Sequence, residues 1–343
     1  MMNRKLNYLK VSVLLLFMAL FMVSCNDDDD DDDADLVGNW KTLWEFEGVA
    51  RSHAVSFVIG DKAYVVSGYD GDERVRLQDC WEYNPDQNQW LQKASFPGLG
   101  RTSAFSFSAN GKGYVGCGYD GSTKLNDVWE YDPINDSWTQ KNDFPASARY
   151  GAVSFTIGGK GFVCGGFDGN YLKDLWEYNA ETDTWTQKTS LPGSKRFNAH
   201  VFVIDDIAYV FGGNNNGTYV DDFWAYDCSA DTWTNKRDIA DNSDDEYDDD
   251  YTSIIRQCGV TFVINGYGYI ATGDESSLVN TTWEYNPAKD LWTKKTEFEG
   301  TARTNAVGFT INNRGFVLTG KTSSLYLDDV WEFYPFAEQV DND

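Results

Sequence analysis

One pattern recurs six times along this chain and limits its fold more than any other feature. An Arg stands at positions 51, 101, 149, 196, 256 and 303, at spacings of 50, 48, 47, 60 and 47 residues. Three residues after each comes a small residue (Ala54, Ala104, Ala152, Ala199, Gly259, Ala306), and six after each a Phe (Phe57, Phe107, Phe155, Phe202, Phe262, Phe309). With mostly Val at the fourth offset and mostly Ile at the eighth, the even offsets form one apolar face at period two. That is the signature of a strand, and small and hydroxyl residues occupy its other face.

A second strand ends at Gly68, Gly118, Gly166, Gly213, Gly273 and Gly320. After a loop, a third carries Trp81, Trp129, Trp176, Trp224, Trp283 or Trp331, each two residues before a Tyr or Phe. Nine residues beyond the first five of these stand Trp90, Trp138, Trp185, Trp233 and Trp292. Each copy is therefore four short strands, too small a unit to bury its own aromatics. The sixth copy lacks the fourth strand, but Trp40, Phe46 and Arg51 repeat the spacing of Trp138, Phe144 and Arg149. The N-terminal segment thus supplies the missing outer strand, and the ring closes without a free sheet edge. Twelve of the 13 Trp fall in this register, with Trp44 outside it.

Repeats of this length, with a Gly-ended second strand, a Trp or Tyr on the third and a Trp on the fourth, resemble kelch repeats across residues 36–336. The resemblance implies an all-β, six-bladed kelch β-propeller whose last blade is closed by the strand around Trp40. The Gly-Gly doublet of that family is intact only at Gly165-Gly166 and Gly212-Gly213; Ser67, Cys117, Thr272 and Thr319 replace its first Gly elsewhere.

Ahead of the repeats, Arg4, Lys5 and Lys10 precede an apolar run from Val11 to Val23, too short to span a bilayer, and then Ser24 and Cys25. Met22-Val23-Ser24-Cys25 resembles the lipobox of bacterial lipoproteins, which implies that residues 1–24 are a cleaved signal peptide and that Cys25 is acylated. Residues 25–35 hold Asp27 to Asp33 in unbroken succession, a run that repels itself and cannot form a core. An acidic run at this place resembles the surface-export signal of lipoproteins in Bacteroidetes-like bacteria. The implied location is the outer membrane, lipid-anchored and exposed at the cell surface, with membrane lipid as one partner. Residues 337–343 form a short C-terminal tail.

Charge narrows the function. The chain carries 54 Asp plus Glu against 28 Lys plus Arg, a net charge of -26, which gives no global attraction for nucleic acid. Eight of the acids lie in the tether and seven in residues 240–255, an insertion that lengthens the connection between the fourth and fifth repeats. That insertion lacks the turn Gly and late bidentate Glu of a calcium loop and reads as a solvated lid. The only two His, His53 and His200, stand at different strand depths in different repeats, which argues against the copper-radical site of galactose oxidase-like kelch proteins. No metal site or cofactor is expected. Cys117 and Cys164, near the ends of adjacent second strands, leave one disulfide conceivable, with buried thiols as the default.

Strand alternation puts the connections from fourth to first strand and from second to third at one end of the propeller, its mouth. Arg51, Arg101, Arg149, Arg196, Arg256 and Arg303 begin the innermost strands, so they are expected to ring that mouth. Beside them lie the loops Tyr69-Asp70-Gly71, Tyr119-Asp120-Gly121 and Phe167-Asp168-Gly169. Guanidinium groups suit carboxylates and exposed rings suit sugars or peptide side chains, so the six Arg with Tyr69, Asp70, Tyr119, Asp120, Phe167 and Asp168 are the candidate ligand-binding residues. In kelch adaptors the equivalent Arg positions line a pocket for acidic peptides, as the resemblance implies here. The competing role is to fasten blades through Asp or Glu, and sixfold repetition favours it. The Asp-Gly pairs are equally at home as turn formers. The expected function is non-catalytic binding of a glycan or protein ligand by a monomer. The alternative is a sugar mutarotase or epimerase resembling N-acetylneuraminate epimerase, with an Arg and Glu275 or Asp70 as acid and base.

Overall fold

The computed structural model describes residues 36–340; the expected signal peptide, Cys25 and the expected acidic tether lie outside them. Among the described residues, six four-stranded antiparallel sheets are arranged as the blades of a propeller, and there is no helix. Blade 1 runs outward through Val55–Ile59, Lys62–Val66, Cys80–Asn84 and Gln89–Lys93. Blade 6 takes three strands from the C-terminal end and its outermost, Asn39–Thr42, from the N-terminal one. Trp40 pairs with Phe333 there and is fully buried, so the ring closes as the Trp40 spacing implies.

The recurrent Phe explains how the blades lock. Phe57, Phe107, Phe202 and Phe262 each lie over a Gly in the next blade (Gly113, Gly161, Gly268, Gly315), where a Cβ would come within 2.1–2.5 Å of the ring. A ring filling the groove left by a missing side chain gives close packing between sheets at little conformational cost. On the channel side, hydroxyls join neighbouring innermost strands: Ser106 Oγ donates to the Ser56 carbonyl at 2.6 Å, Ser154 Oγ to Ser106 at 2.7 Å and Thr261 Oγ1 to Val201 at 2.7 Å. The polar face of the period-two pattern is therefore a set of ties between blades, lining a channel cavity of about 530 Å³.

The Gly at the end of each second strand has a backbone reason. All six have φ between 84° and 104°, and at Gly213 a Cβ would stand 2.8 Å from Ala199 Cα and from the Phe197 carbonyl. The residue before it has φ between 57° and 69°, a left-handed conformation that other residues reach with strain. Ser67, Cys117, Thr272 and Thr319 are tolerated there for that reason, whereas the second Gly never changes. Thr319 combines β-branching at φ 59° with a buried hydroxyl that finds no partner. Thr319→Gly is expected to stabilise the fold by about 1 kcal/mol, the relief of strain and of the orphan hydroxyl exceeding the added chain entropy. An unchanged or lower melting temperature would refute this account.

Candidate functional site

The six repeat arginines do not face a ligand. Their side chains are 0–1% exposed. Arg51 forms a two-armed pair with Asp79 at 2.6 Å on both arms, Arg101 with Asp127 at 2.7 and 2.8 Å, and Arg149 with Asp174 at 2.6 and 3.0 Å. Arg303 pairs likewise with Asp329, whereas Arg196 meets one carboxylate oxygen of Asp222 through Nη2 and turns Nη1 to the Gly212 and Asp222 carbonyls. Burial opposes ionisation of Asp127 and Asp329, yet Arg101 with Trp129, and Arg303 with Trp331, hold both carboxyls below their usual range. Four of these guanidiniums also stack over a Phe of the incoming connection, at 4.7–5.0 Å. Each Arg carbonyl accepts from the invariant Gly of the preceding blade, from Gly68 to Arg101 around to Gly320 and Arg51, at 2.8–3.0 Å. The expectation of an Arg-lined mouth is thus corrected: side chain and backbone of each Arg fasten the ring.

Blade 5 breaks the rule. Thr281 occupies the place of the Asp, so Arg256 is fully buried with only the Thr281 hydroxyl and the Ser253, Thr272 and Thr281 carbonyls as partners. Burial without a paired carboxylate depresses this guanidinium below its ordinary value, against a smaller opposing pull from Glu275. Thr281→Asp is expected to restore the pair and raise stability by about 1–3 kcal/mol, read as a higher melting temperature. No gain would mean that the local hydroxyl and carbonyls already compensate the charge.

The insertion is likewise no free lid. Tyr251 and Ile254 are buried between blades 4 and 5, where the Tyr251 hydroxyl accepts from the Trp292 N–H at 2.7 Å. Asp241, Asp248 and Asp249 gather within 4.8 Å of one another, but buried Asp248 accepts from Asn242 and Ser243 and so closes its own loop. Cys117 and Cys164 are free and buried, and burial pushes both thiols up to about 12.

The loop carboxylates close turns. Asp70 accepts from the N–H groups of Asp72 and Glu73, Asp120 from those of Ser122 and Thr123, and Asp168 from that of Asn170. The rings beside them do reach the mouth. Each residue after a repeat Arg bridges to the residue after a repeat Gly: Ser52 to Tyr69, Thr102 to Tyr119, Tyr150 to Phe167, Phe197 to Asn214, Gln257 to Asp274, Thr304 to Lys321. Rings therefore follow one another along the rim, Tyr119 to Tyr150 to Phe167 to Tyr171 to Phe197, with centroids 5.1–5.6 Å apart.

Where blades 6, 1 and 2 meet, this rim encloses a pocket of about 240 Å³ lined by Ser52, His53, Tyr69, Arg76, Thr102, Lys321 and Tyr326. Arg76 lies 5.4 Å from the Tyr69 ring and 5.5 Å from the Tyr119 ring, and its buried Nε has no hydrogen-bond partner. Among the described residues neither Arg76 nor Lys321 forms an ion pair. Burial, then Lys321 and Arg76, lower the His53 pKa to about 4, so that imidazole is neutral beside two cations. Arg76, Lys321, His53 and Tyr326 are absent from the sequence-based candidates, whereas Tyr69 and Tyr119 are among them.

A profile of the KLHDC2/KLHL20/DRC7 kelch-repeats domain matches residues 45–203 and again 142–320. The chain is a kelch-repeat protein. Among solved structures, that of YjhT superposes on this kelch propeller with a TM-score of 0.69 at 18% identity, over 84% of this chain and 95% of that one. Such identity speaks for the fold alone. No curated protein matches the sequence.

Proposed function

We propose that this kelch propeller is a binding domain that takes an acidic group of a glycan or protein ligand into the pocket between blades 6, 1 and 2. One observation carries the reading: Arg76 and Lys321, unpaired in a chain of net charge -26, converge on a cavity walled by Tyr69 and Tyr326. Unpaired guanidinium and ammonium groups beside aromatic walls give a carboxylate strong, oriented hydrogen bonds and give an apolar ligand face a surface to stack on. The anchor belongs to the same proposal, with Cys25 acylated and the propeller held at the outer surface of a bacterial outer membrane. Protease added to intact cells should then degrade it, and full protection would overturn the surface placement.

The binding test is a glycan array with neutral and carboxylate-bearing glycans, run beside an acidic peptide array. Arg76→Ala and Lys321→Ala should each weaken capture at least tenfold while leaving the melting temperature within about 1 °C, since neither group is paired in the fold. Capture of neutral ligands only, or capture that survives both substitutions, would refute the acidic pocket.

Neutral His53 favours a second reading, sugar mutarotation or epimerisation, because an unprotonated imidazole in the pocket can accept a hydroxyl proton while Arg76 holds a sugar acid. Asp70, tied into its own turn, is not available as the base. Acceleration of sialic acid anomer exchange by NMR, lost in His53→Gln, would establish this reading over binding alone.

A further inference from the structure

Exposed apolar side chains gather at the end of the propeller opposite the mouth. Val37 is 48% exposed, Tyr334 38%, Phe336 61% and Val340 51%. They form one corner, because Asn39 pairs with Tyr334, the Gly38 N–H donates to the Ala337 carbonyl, and the Val340 N–H donates to Asn39 Oδ1. Beneath it Lys295, itself buried and 3.8 Å from Glu284, supports the Phe336 ring with its Nζ 5.7 Å from the ring centre. Ile134, 89% exposed, projects from the same end in blade 2. The other turns there are polar, as at Asn110-Gly111, Asp205-Asp206 and Asn312-Asn313. Rings and aliphatic side chains exposed together are the composition that partitions into a lipid headgroup boundary.

The position of this corner names its occupant. The outermost strand of blade 6 runs from Asn39 at this end to Thr42 at the mouth end, so the chain joins the propeller at the apolar corner. Only residues 25–35 separate Cys25 from it, a reach of at most about 40 Å even when fully extended. We infer that this corner rests on the lipid surface to which the chain is anchored. A tether this short gives the patch a millimolar effective concentration against the bilayer, enough for a weak apolar contact to be occupied. Seated in this way, the propeller turns its mouth pocket away from the membrane. The inference rests on the proposed acylation of Cys25.

The test uses the full acylated chain reconstituted in phosphatidylcholine vesicles, with a Trp reporter introduced as Phe336→Trp or, at the mouth, as Leu99→Trp. Brominated acyl chains should quench most of the emission added by Phe336→Trp and none of that added by Leu99→Trp. A chain that sediments with vesicles but shows no quenching of Phe336→Trp overturns the seating alone. A chain that fails to sediment overturns the Cys25 anchor and the seating with it.

Discussion

Arg149→Ala should cost about 3–5 kcal/mol of stability and lower the melting temperature by several degrees. The substitution removes both arms of the Asp174 pair, the bond to the Gly165 carbonyl and the stack over Phe144, and it strands a partly buried carboxylate. Arg76→Ala, in the same chain, removes a guanidinium that forms no ion pair and lies only against the Tyr69 and Tyr119 rings, and it should change unfolding far less. Measuring both variants by thermal unfolding and by ligand capture separates the two kinds of arginine. The fastening role requires Arg149→Ala to fail in stability, and whatever remains folded should bind as the parent does. A stable Arg149→Ala that has lost capture would return the repeat arginines to the site and overturn the geometry argued for Arg76.

Repetition made the fold legible and concealed the proposed pocket for the same reason. Six copies expose every position with a shared structural duty: the Phe that fills a neighbour's Gly groove, the Gly forced to φ near 100°, the Trp on two strands. They also expose how the N-terminal segment completes blade 6, because the interval from Trp40 through Phe46 to Arg51 survives at the far end of the chain. A ligand without sixfold symmetry, however, would have to be told apart by positions where the copies differ. Arg76 and Tyr326 occupy one column, with Lys124, Tyr171, Tyr219 and Leu278 as the counterparts that face back across the mouth hairpins. Those hairpins differ in length, so counting from the repeat Arg or Gly misaligns the column. A usable signal was present downstream. Each member precedes a Leu or Val that stands two residues before the repeat Asp, or before Thr281 in its place in blade 5, as in Arg76-Leu77-Gln78-Asp79 and Tyr326-Leu327-Asp328-Asp329. Aligned from that Asp, the lone Arg of the column stands out. The insertion departs from the expected solvated lid for another reason: its run of acids masks Tyr251 and Ile254, whose burial is fixed by a cleft between blades rather than by local pattern.

Acid should weaken this fold well before its carboxylates titrate, and His200 should carry most of that effect. The His200 side chain is buried, its Nε2 accepts the Gly259 N–H at 2.9 Å, and burial followed by Arg256 lowers its pKa to about 3. An accepting Nε2 requires the neutral ring with its proton on Nδ1. In the unfolded chain the same imidazole titrates near 6.5. Below that pH the unfolded state binds a proton that the folded state refuses, so stability is complete above 6.5 and falls as pH drops towards about 3. The limiting slope for one such group is about 1.4 kcal/mol per pH unit. His53, with a folded pKa of about 4 and a ring open to the mouth pocket, adds in the same direction over a narrower window, from 6.5 to 4, and more weakly because solvent reaches it. Denaturant midpoints measured from pH 7.5 to 4.5 should therefore fall steadily in the parent chain. His200→Gln, whose amide oxygen can accept from Gly259, should flatten most of that fall, and His53→Gln a smaller part. If the parent is flat over this range, or if both variants keep its slope, the buried neutral imidazole at the junction of blades 4 and 5 is not the acid-sensitive element.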